Sequence, residues 1–179
     1  MQLIGLAGRA RVGKDTLADY PQQVHGYDRY ALADPLRRGL LALFFLEPRH
    51  FQGDQKEQPI DWIGKSPREL LQTLGTDWGR TRVAPDIWLR CAKLEIDRAR
   101  RFHATGLVIT DIRFENEAQF VRDQGGQVWH LYRADAPNVR SHVSEAGVIE
   151  REGDAILHNV GTLEMLYELA DELLGVEAC

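Results

Sequence analysis

Residues 8–16 of this 179-residue chain read GRARVGKDT, and this stretch decides the fold. It fits the pattern G-x-x-x-x-G-K and lies between an apolar run, Gln2–Leu6, and a helical pattern that opens at Lys14. Glycines let backbone N–H groups turn inward toward an anion, and the start of a helix adds partial positive charge. A lysine at this position reaches the β- and γ-phosphates of a nucleotide. The stretch therefore predicts a phosphate-binding loop between a strand and a helix.

Asp15 stands where this pattern usually has a serine or threonine that ligates magnesium. Its carboxylate is able to hold the ion through water, because magnesium keeps several of its waters when bound. The alternative is that Asp15 only stabilises the first turn of the helix through the helix dipole. Thr16 is the other candidate ligand, and the sequence leaves these interpretations open.

The rest of the chain alternates strand-like and helix-like segments. Apolar or β-branched runs occupy Gln2–Leu6, Asp28–Leu32, Leu107–Asp111, Gln127–Tyr132 and Ala155–Asn159. Helices are predicted from Lys14 to about Tyr20, over Pro35–Leu46, from the Ser66 cap to about Gly75, and over Pro85–Phe102, Phe114–Gln124 and Thr162–Leu174. We expect Pro21 to end or kink the first helix, since proline removes a backbone donor. This alternation predicts an α/β fold, a parallel sheet with helices on both faces.

The helical periodicity also predicts which side chains share a face. Ile87, Cys91 and Leu94 lie on one face of the Pro85–Phe102 helix. In the last helix apolar residues recur at helical spacing, at Leu163, Leu166, Leu169 or Ala170, and Leu173.

Ligands of parallel sheets bind beyond the carboxyl ends of the strands, and charged residues cluster there. Asp111 ends a buried run, and beside a phosphate loop it is expected to orient the waters of magnesium or to accept a proton. Arginines follow strand ends or helix starts at Arg37, Arg80, Arg113 and Arg133, while Arg140 lies further on. Such residues suit phosphoryl transfer between two anions, because the transferring group spreads charge over three oxygens.

Two segments break the strand–helix rhythm, Glu47–Lys65 and Ala134–Gly153, and we interpret both as flaps over a site. His142 and Glu145 of the second flap lack further metal ligands at fitting spacing, so we expect a flap contact or simple solvation rather than a metal site.

Composition narrows the classes of function. The net charge of −5 argues against a general nucleic-acid binder. The longest apolar run, Leu40–Leu46, is too short to span a membrane. Cys91 and Cys179 form no disulfide framework, and the start of the sequence has no secretory-signal pattern. We expect a cytoplasmic protein. A homodimer is left open.

The motifs together resemble phage deoxynucleoside monophosphate kinases, a branch of the P-loop kinases. The resemblance spans nearly the whole chain, in segments at 13–16, 33–37, 66–77, 85–88, 111–117, 142–145 and 159–163, with Arg80 between them. It implies a three-layer P-loop kinase sandwich with a five-stranded parallel sheet. It implies one domain over 1–179, with an acceptor-binding insertion at about 35–84 and a lid at about 134–153.

The resemblance also implies roles for individual residues. ATP and its Mg²⁺ would be held by Gly8, Arg11, Val12, Gly13, Lys14, Asp15 and Thr16, with Asn159 and Gly161 near the adenine and Asp111 as a further metal ligand. The acceptor site would be lined by Asp34, Arg37, Gln72, Thr76, Arg80, Arg113 and Arg140. The catalytic group would comprise Lys14, Asp111, Arg113 and Arg133, with Arg133 reaching between the two phosphates.

The expected activity is ATP-dependent phosphorylation of a deoxynucleoside 5′-monophosphate, with small-molecule nucleotides as partners. Two alternatives remain. One is a related kinase with another phosphorylated acceptor, of the phosphomevalonate or dephospho-CoA type, because a fold does not fix a substrate. The other is a nucleotide-dependent switch without catalysis, which would need only one phosphorylated ligand.

Overall fold

The computed structural model describes residues 1–133 and 148–176. Within these residues, five strands form a single parallel sheet in the order β2-β3-β1-β4-β5. The strands are β1 Gln2–Ala7, β2 Asp28–Tyr30, β3 Gly106–Ile112, β4 Gln127–Tyr132 and β5 Ala155–His158. All five predicted runs are strands, with ends that differ by at most two residues.

The α-helices are α1 Lys14–His25, α2 Asp34–Leu43, α3 Pro67–Gln72, α4 Ile87–Arg101, α5 Glu115–Asp123 and α6 Leu163–Leu174. Helices α1 and α6 cover one face of the sheet, and α5 covers the other. Leu17 and Ala18 of α1 join Leu166 and Ala170 of α6 in a core cluster on one face. On the other face α5 packs at Gly5, where an added Cβ would lie 3.0 Å from Val121 Cγ2.

Helix α1 does not end at Pro21, so the predicted end at about Tyr20 is wrong, whereas a kink at Pro21 stays a prediction. The helix continues for one more turn to His25 with Pro21 buried inside it. The proline costs one backbone hydrogen bond, but its fixed φ is compatible with a helix and its ring contributes buried apolar surface. Gly26 then ends α1 at a left-handed φ of 69°, and the N–H groups of Gly26 and Tyr27 both bond to Pro21 O.

The helix that starts at Ser66 is capped as predicted, but it does not stop at Gly75. Ser66 Oγ accepts from Glu69 N at 3.3 Å, and Glu69 Oε2 accepts from Ser66 N at 2.8 Å. After α3 the chain continues as a π-helix over Thr73–Val83. The indole N–H of Trp88 donates to Gly75 O at 2.8 Å, which gives this wider helix a tertiary partner.

One predicted helix face needs correction, and a second is confirmed in part. Leu94 is 70% exposed, and the buried residues of α4 are Trp88, Ala92, Ile96 and Ala99. In α6, Leu163 and Leu169 are largely exposed, whereas Leu166, Ala170 and Leu174 are buried. The α4 stripe was displaced around the helix from the buried face. In α6 the predicted Leu166 and Ala170 are buried, and the predicted Leu173 packs partly buried against the core.

The chain divides into two compact units. One comprises the described residues of Met1–Ala31 and Glu95–Cys179, and it holds the sheet. The other is Leu32–Leu94, which contains the predicted insertion at about 35–84. The Glu47–Lys65 flap lies in this second unit and forms two short 3₁₀ helices, Pro48–Phe51 and Gly53–Glu57. Of the Ala134–Gly153 flap, residues 134–147 lie outside the described residues. No helix in the described ranges is long and apolar enough to cross a membrane.

Candidate active site

The loop after β1 has the backbone conformation that its glycines predict. Gly8 and Gly13 have φ values of 144° and 106°, which side chains rarely adopt. A Cβ on Gly8 would lie 2.5 Å from Leu131 O, and a Cβ on Gly13 would lie 2.7 Å from Asn159 Nδ2. Arg11 also has a left-handed φ of 65°, at a cost of about 1 kcal/mol for a residue with a side chain. Neighbouring groups thus fix the loop at both of its glycines.

Lys14 spans this loop. Its Nζ donates to Gly8 O at 2.6 Å and to Arg9 O at 2.7 Å, while Lys14 itself is the first residue of α1. The ammonium group is therefore held by the first two residues of the loop, next to the helix N-terminus. A positive charge in this position favours an anion at the loop.

Asn159 ties the end of β5 to the loop. Its backbone N–H donates to Tyr132 O at 2.8 Å, and its Nδ2 donates to Val12 O at 2.9 Å. The sequence predicted Asn159 to lie near the adenine of ATP. Its contact with the loop was not predicted, because the two residues are 147 positions apart.

The sheet register brings the predicted catalytic residues to one edge. Ala7, the last residue of β1, pairs with Ile112 of β3 and with His130 of β4. The phosphate loop, Asp111 and Arg113 therefore lie at the same carboxyl edge, as does Arg133, which follows β4. Asp111 is half-buried, whereas Arg113 and Arg133 are exposed.

A buried carboxylate holds the turn that carries Arg113. Glu117 is 3% exposed, and its Oε2 accepts from Arg113 N at 2.8 Å and Phe114 N at 3.1 Å. These bonds satisfy backbone donors at the start of α5. In the sequence these bonds are indicated by Glu117, a glutamate in the first turn of a predicted helix, as in a capping box.

Asp15 is engaged by a residue that sequence analysis missed. Arg29 of β2 donates from Nη2 to Asp15 Oδ1 at 2.6 Å, and from Nη1 to Asp19 Oδ1. The side chain of Asp15 is 86% exposed and that of Arg29 is 28% exposed. The only local signal is that Asp15 and Asp19 are four residues apart, which places them on one face of α1.

The donor set at the loop suits magnesium. Asp15 offers a carboxylate and Thr16 a hydroxyl, both exposed, and Asp111 offers a second carboxylate at the same edge. Magnesium binds through one or two carboxylates together with waters and phosphate oxygens. No cluster of three or more His, Cys, Asp or Glu side chains that would cage a metal occurs in the described part of the chain.

The predicted acceptor residues, apart from Arg113 and Arg140, lie in the Leu32–Leu94 unit. Asp34 and Arg37 are both on α2 and form an ion pair at 2.8 Å. Gln72 ends α3, and Thr76 and Arg80 follow on the π-helix; Arg80 is half-buried. Arg140, like His142 and Glu145, lies outside the described residues.

Gly161 lies just before α6 and is exposed. A Cβ there would approach Met165 Sδ to 2.5 Å, a contact that the half-exposed methionine side chain relieves by changing its rotamer.

A charged cluster anchors the segment that leads into β5. Arg122 of α5 donates from Nη2 to Asp154 Oδ2 at 2.6 Å and from Nη1 to Glu115 Oε1 at 3.2 Å. His130 Nε2 lies 2.8 Å from Asp154 Oδ2. Burial raises the pKa of Asp154, but the hydrogen bonds from Arg122, His130 and Arg151 N outweigh it and lower the pKa to about 2. Asp154 is therefore a buried, fully ionised carboxylate at neutral pH.

A cavity of about 300 Å³ lies elsewhere, at the amino-terminal edge of the sheet among Gln2, Gly126, Gln127 and Leu174. Ligands of parallel sheets bind at the opposite edge, so this cavity is not part of the candidate active site.

Solved kinase structures share this fold. A sugar kinase from Janibacter sp. aligns with a TM-score of 0.54 at 12% identity, covering 98% of this chain and 95% of that one. A dephospho-CoA kinase from Campylobacter jejuni aligns with a TM-score of 0.52 at 14% identity, covering 98% and 96%. The fold is thus the three-layer P-loop kinase sandwich that the sequence predicted.

The family model for deoxynucleotide monophosphate kinase matches residues 61–169. The chain belongs to this family. A candidate deoxynucleotide monophosphate kinase of Acanthamoeba polyphaga mimivirus is 33% identical over 188 residues, covering 93% of each chain. The deoxynucleotide monophosphate kinase of Enterobacteria phage T4 is 25% identical over 242 residues, covering 98% of this kinase and 100% of the phage protein.

Proposed function

We propose that this kinase transfers the γ-phosphoryl group of ATP to a deoxynucleoside 5′-monophosphate, which gives ADP and the deoxynucleoside diphosphate. The observation that carries the proposal is the phosphate loop with Lys14 Nζ held at its first two carbonyl groups. The family match covers residues 61–169 and so excludes this loop. The loop geometry supports binding of the nucleotide phosphates, and the family membership supports the deoxynucleoside monophosphate as acceptor.

The reaction is a direct exchange of one P–O bond for another. An oxygen of the acceptor phosphate forms a bond to the γ-phosphorus, and the bond from that phosphorus to the β,γ-bridging oxygen breaks. Lys14 on the donor side, with Arg113 and Arg133 at the same sheet edge, would offset the charge that spreads over the transferring group. Positioning and charge neutralisation suffice, so the chain needs no covalent intermediate.

ATP would lie along residues 8–16, with its phosphates toward the inward backbone N–H groups and the start of α1. Asn159 would support this loop through Val12 O and, with Gly161, would border the adenine. Asp15, Thr16 and Asp111 would hold Mg²⁺ in part through water. The ion, when bound, supplies charge neutralisation at the phosphate oxygens.

The acceptor monophosphate would be bound by residues of the Leu32–Leu94 unit, chiefly Arg80 and Arg37, with Asp34, Gln72 and Thr76. Arginine suits this role because its planar guanidinium binds a phosphate with two parallel hydrogen bonds. Arg113 and Arg140 complete the proposed acceptor set.

A coupled ADP-release assay over a panel of monophosphates tests the proposal. We expect ATP-dependent ADP release with one or more deoxynucleoside monophosphates and little with dephospho-CoA or phosphomevalonate. Reactions without an acceptor are the control for simple ATP hydrolysis. ADP release only with a non-nucleotide acceptor would refute the proposed substrate class, and ADP release that no acceptor stimulates would refute transfer.

A further inference from the structure

Arg29 joins the edge strand β2 to the first turns of α1 beside the phosphate loop. Its guanidinium contacts Asp15 Oδ1 at 2.6 Å through Nη2, and Asp19 Oδ1 through Nη1. Arg29 is half-buried, with 28% of its side chain exposed, whereas Asp15 is 86% exposed. The arginine is thus the fixed partner, and the carboxylate that follows Lys14 is held against it.

The charge of Asp15 poses a problem for this loop. A loop that binds the anionic phosphates of ATP gains from nearby positive charge and loses from nearby negative charge. Asp15 follows the loop lysine directly, where the pattern usually has an uncharged serine or threonine. An unpaired carboxylate there would repel the phosphates.

We propose that Arg29 is a positioning residue that holds Asp15 and offsets its charge, and so permits an aspartate in this phosphate loop. The inference rests on the proposed function only in that the loop binds ATP. An exposed ion pair contributes little to folding, typically below about 1 kcal/mol. We therefore expect the loss of Arg29 to change nucleotide affinity more than folding stability.

The test is the affinity for metal-free ATP, measured by calorimetry in EDTA, which separates the charge of Asp15 from any metal contact. Arg29→Gln is expected to weaken ATP binding about tenfold, equal to about 1.4 kcal/mol, because one uncompensated charge then faces several phosphate charges. Asp15→Asn alone is expected to tighten ATP binding about threefold. The double variant is expected to bind within about twofold of the wild type.

Asp19→Asn is the matched control, since it removes the other carboxylate that Arg29 contacts, one turn further from the loop. In the Arg29→Gln background it should restore much less affinity than Asp15→Asn does. Arg29→Gln should also raise the KM for ATP while leaving the KM for the monophosphate within about twofold.

Two results would overturn the inference. One is a double variant that binds ATP as weakly as Arg29→Gln, because Arg29 would then act on ATP directly or through the fold. The other is an Asp15→Asn variant with unchanged or weaker ATP binding, which is informative even if Arg29→Gln does not fold. If the wild type binds ATP but phosphorylates no deoxynucleoside monophosphate, the proposed function fails. The ATP affinities of the two single variants and the double variant can still be compared in that case.

Discussion

Replacing Asp154 with asparagine should destabilise the kinase at neutral pH and much less in acid. The Asp154 side chain is 3% exposed and accepts from Arg122 at 2.6 Å, with His130 Nε2 at 2.8 Å. Asparagine keeps the shape but removes the charge, and it leaves Glu115 as the anionic partner of the Arg122 guanidinium, which is 13% exposed. Removing one partner of a buried ion pair costs about 3–5 kcal/mol, and Glu115 should reduce this to about 2–3 kcal/mol.

The pH dependence follows from the direction of the pKa shift. Folding lowers the pKa of Asp154 from its ordinary value of 3.8 to about 2. A depressed pKa contributes stability that is fully present above about pH 5 and is lost progressively as the pH falls toward 2. The shift corresponds to about 2 kcal/mol.

Urea unfolding between pH 7 and pH 2.5 measures this effect as the difference in unfolding free energy between the wild type and Asp154→Asn. The difference should be about 2–3 kcal/mol at pH 7 and should shrink by more than half at pH 2.5. Asp123→Asn is the control, because Asp123 is an exposed carboxylate on the same helix as Arg122, where it accepts from Gln119 Nε2 at 2.8 Å. A difference that stays constant with pH, or that is no larger than that of Asp123→Asn, would refute the reasoning.

Three further substitutions test the two proposed ligand sites and the π-helix. Lys14→Ala should lower phosphoryl transfer at least ~100-fold in the ADP-release assay. It should leave the melting temperature unchanged, because the Lys14 ammonium group contacts the phosphate loop and not the core. Full activity would contradict the loop assignment. Arg80→Ala should raise the KM for the monophosphate about tenfold and spare the KM for ATP, with partial rescue by Arg80→Lys; weaker ATP binding instead would mean that the sites are exchanged. Gly79→Ala should cost about 2–3 kcal/mol in urea unfolding, because its Cβ would lie 2.3 Å from Trp88 Cζ2. The control is Gly39→Ala, which meets nothing within 4 Å; an equal effect of both would contradict the packing.

The parts of the fold that were predicted depend on local sequence. The strand–loop–helix around residues 8–16, the Ser66 cap and the buried run of β3 each have a signal within about ten residues. Pro21 misled the prediction because the penalty for a proline inside a helix is local, whereas the packing that offsets it is tertiary.

The π-helix could not be predicted, because its period differs from the 3.6 residues expected of helical patterns. Its stabilising contact also comes from Trp88, thirteen residues beyond Gly75.

The candidate site likewise has residues that local sequence predicts and residues that it does not. Lys14, Asp111 and Arg113 were predicted because each belongs to a motif at a strand end, and the sheet register brings them to one edge. Arg29 and the loop contact of Asn159 were missed, because each depends on two segments meeting in space. In a single sequence such pairs carry no signal apart from charge or a hydrogen-bonding side chain.

The most direct test of the central claim is the identity of the products. ³¹P NMR of a reaction that contains ATP, Mg²⁺ and a deoxynucleoside monophosphate follows both sides of the transfer at once. Our account predicts that the deoxynucleoside diphosphate appears in equal amount to ADP, with no inorganic phosphate. Inorganic phosphate formed in place of the diphosphate, or no loss of ATP with any of the deoxynucleoside monophosphates, would contradict it.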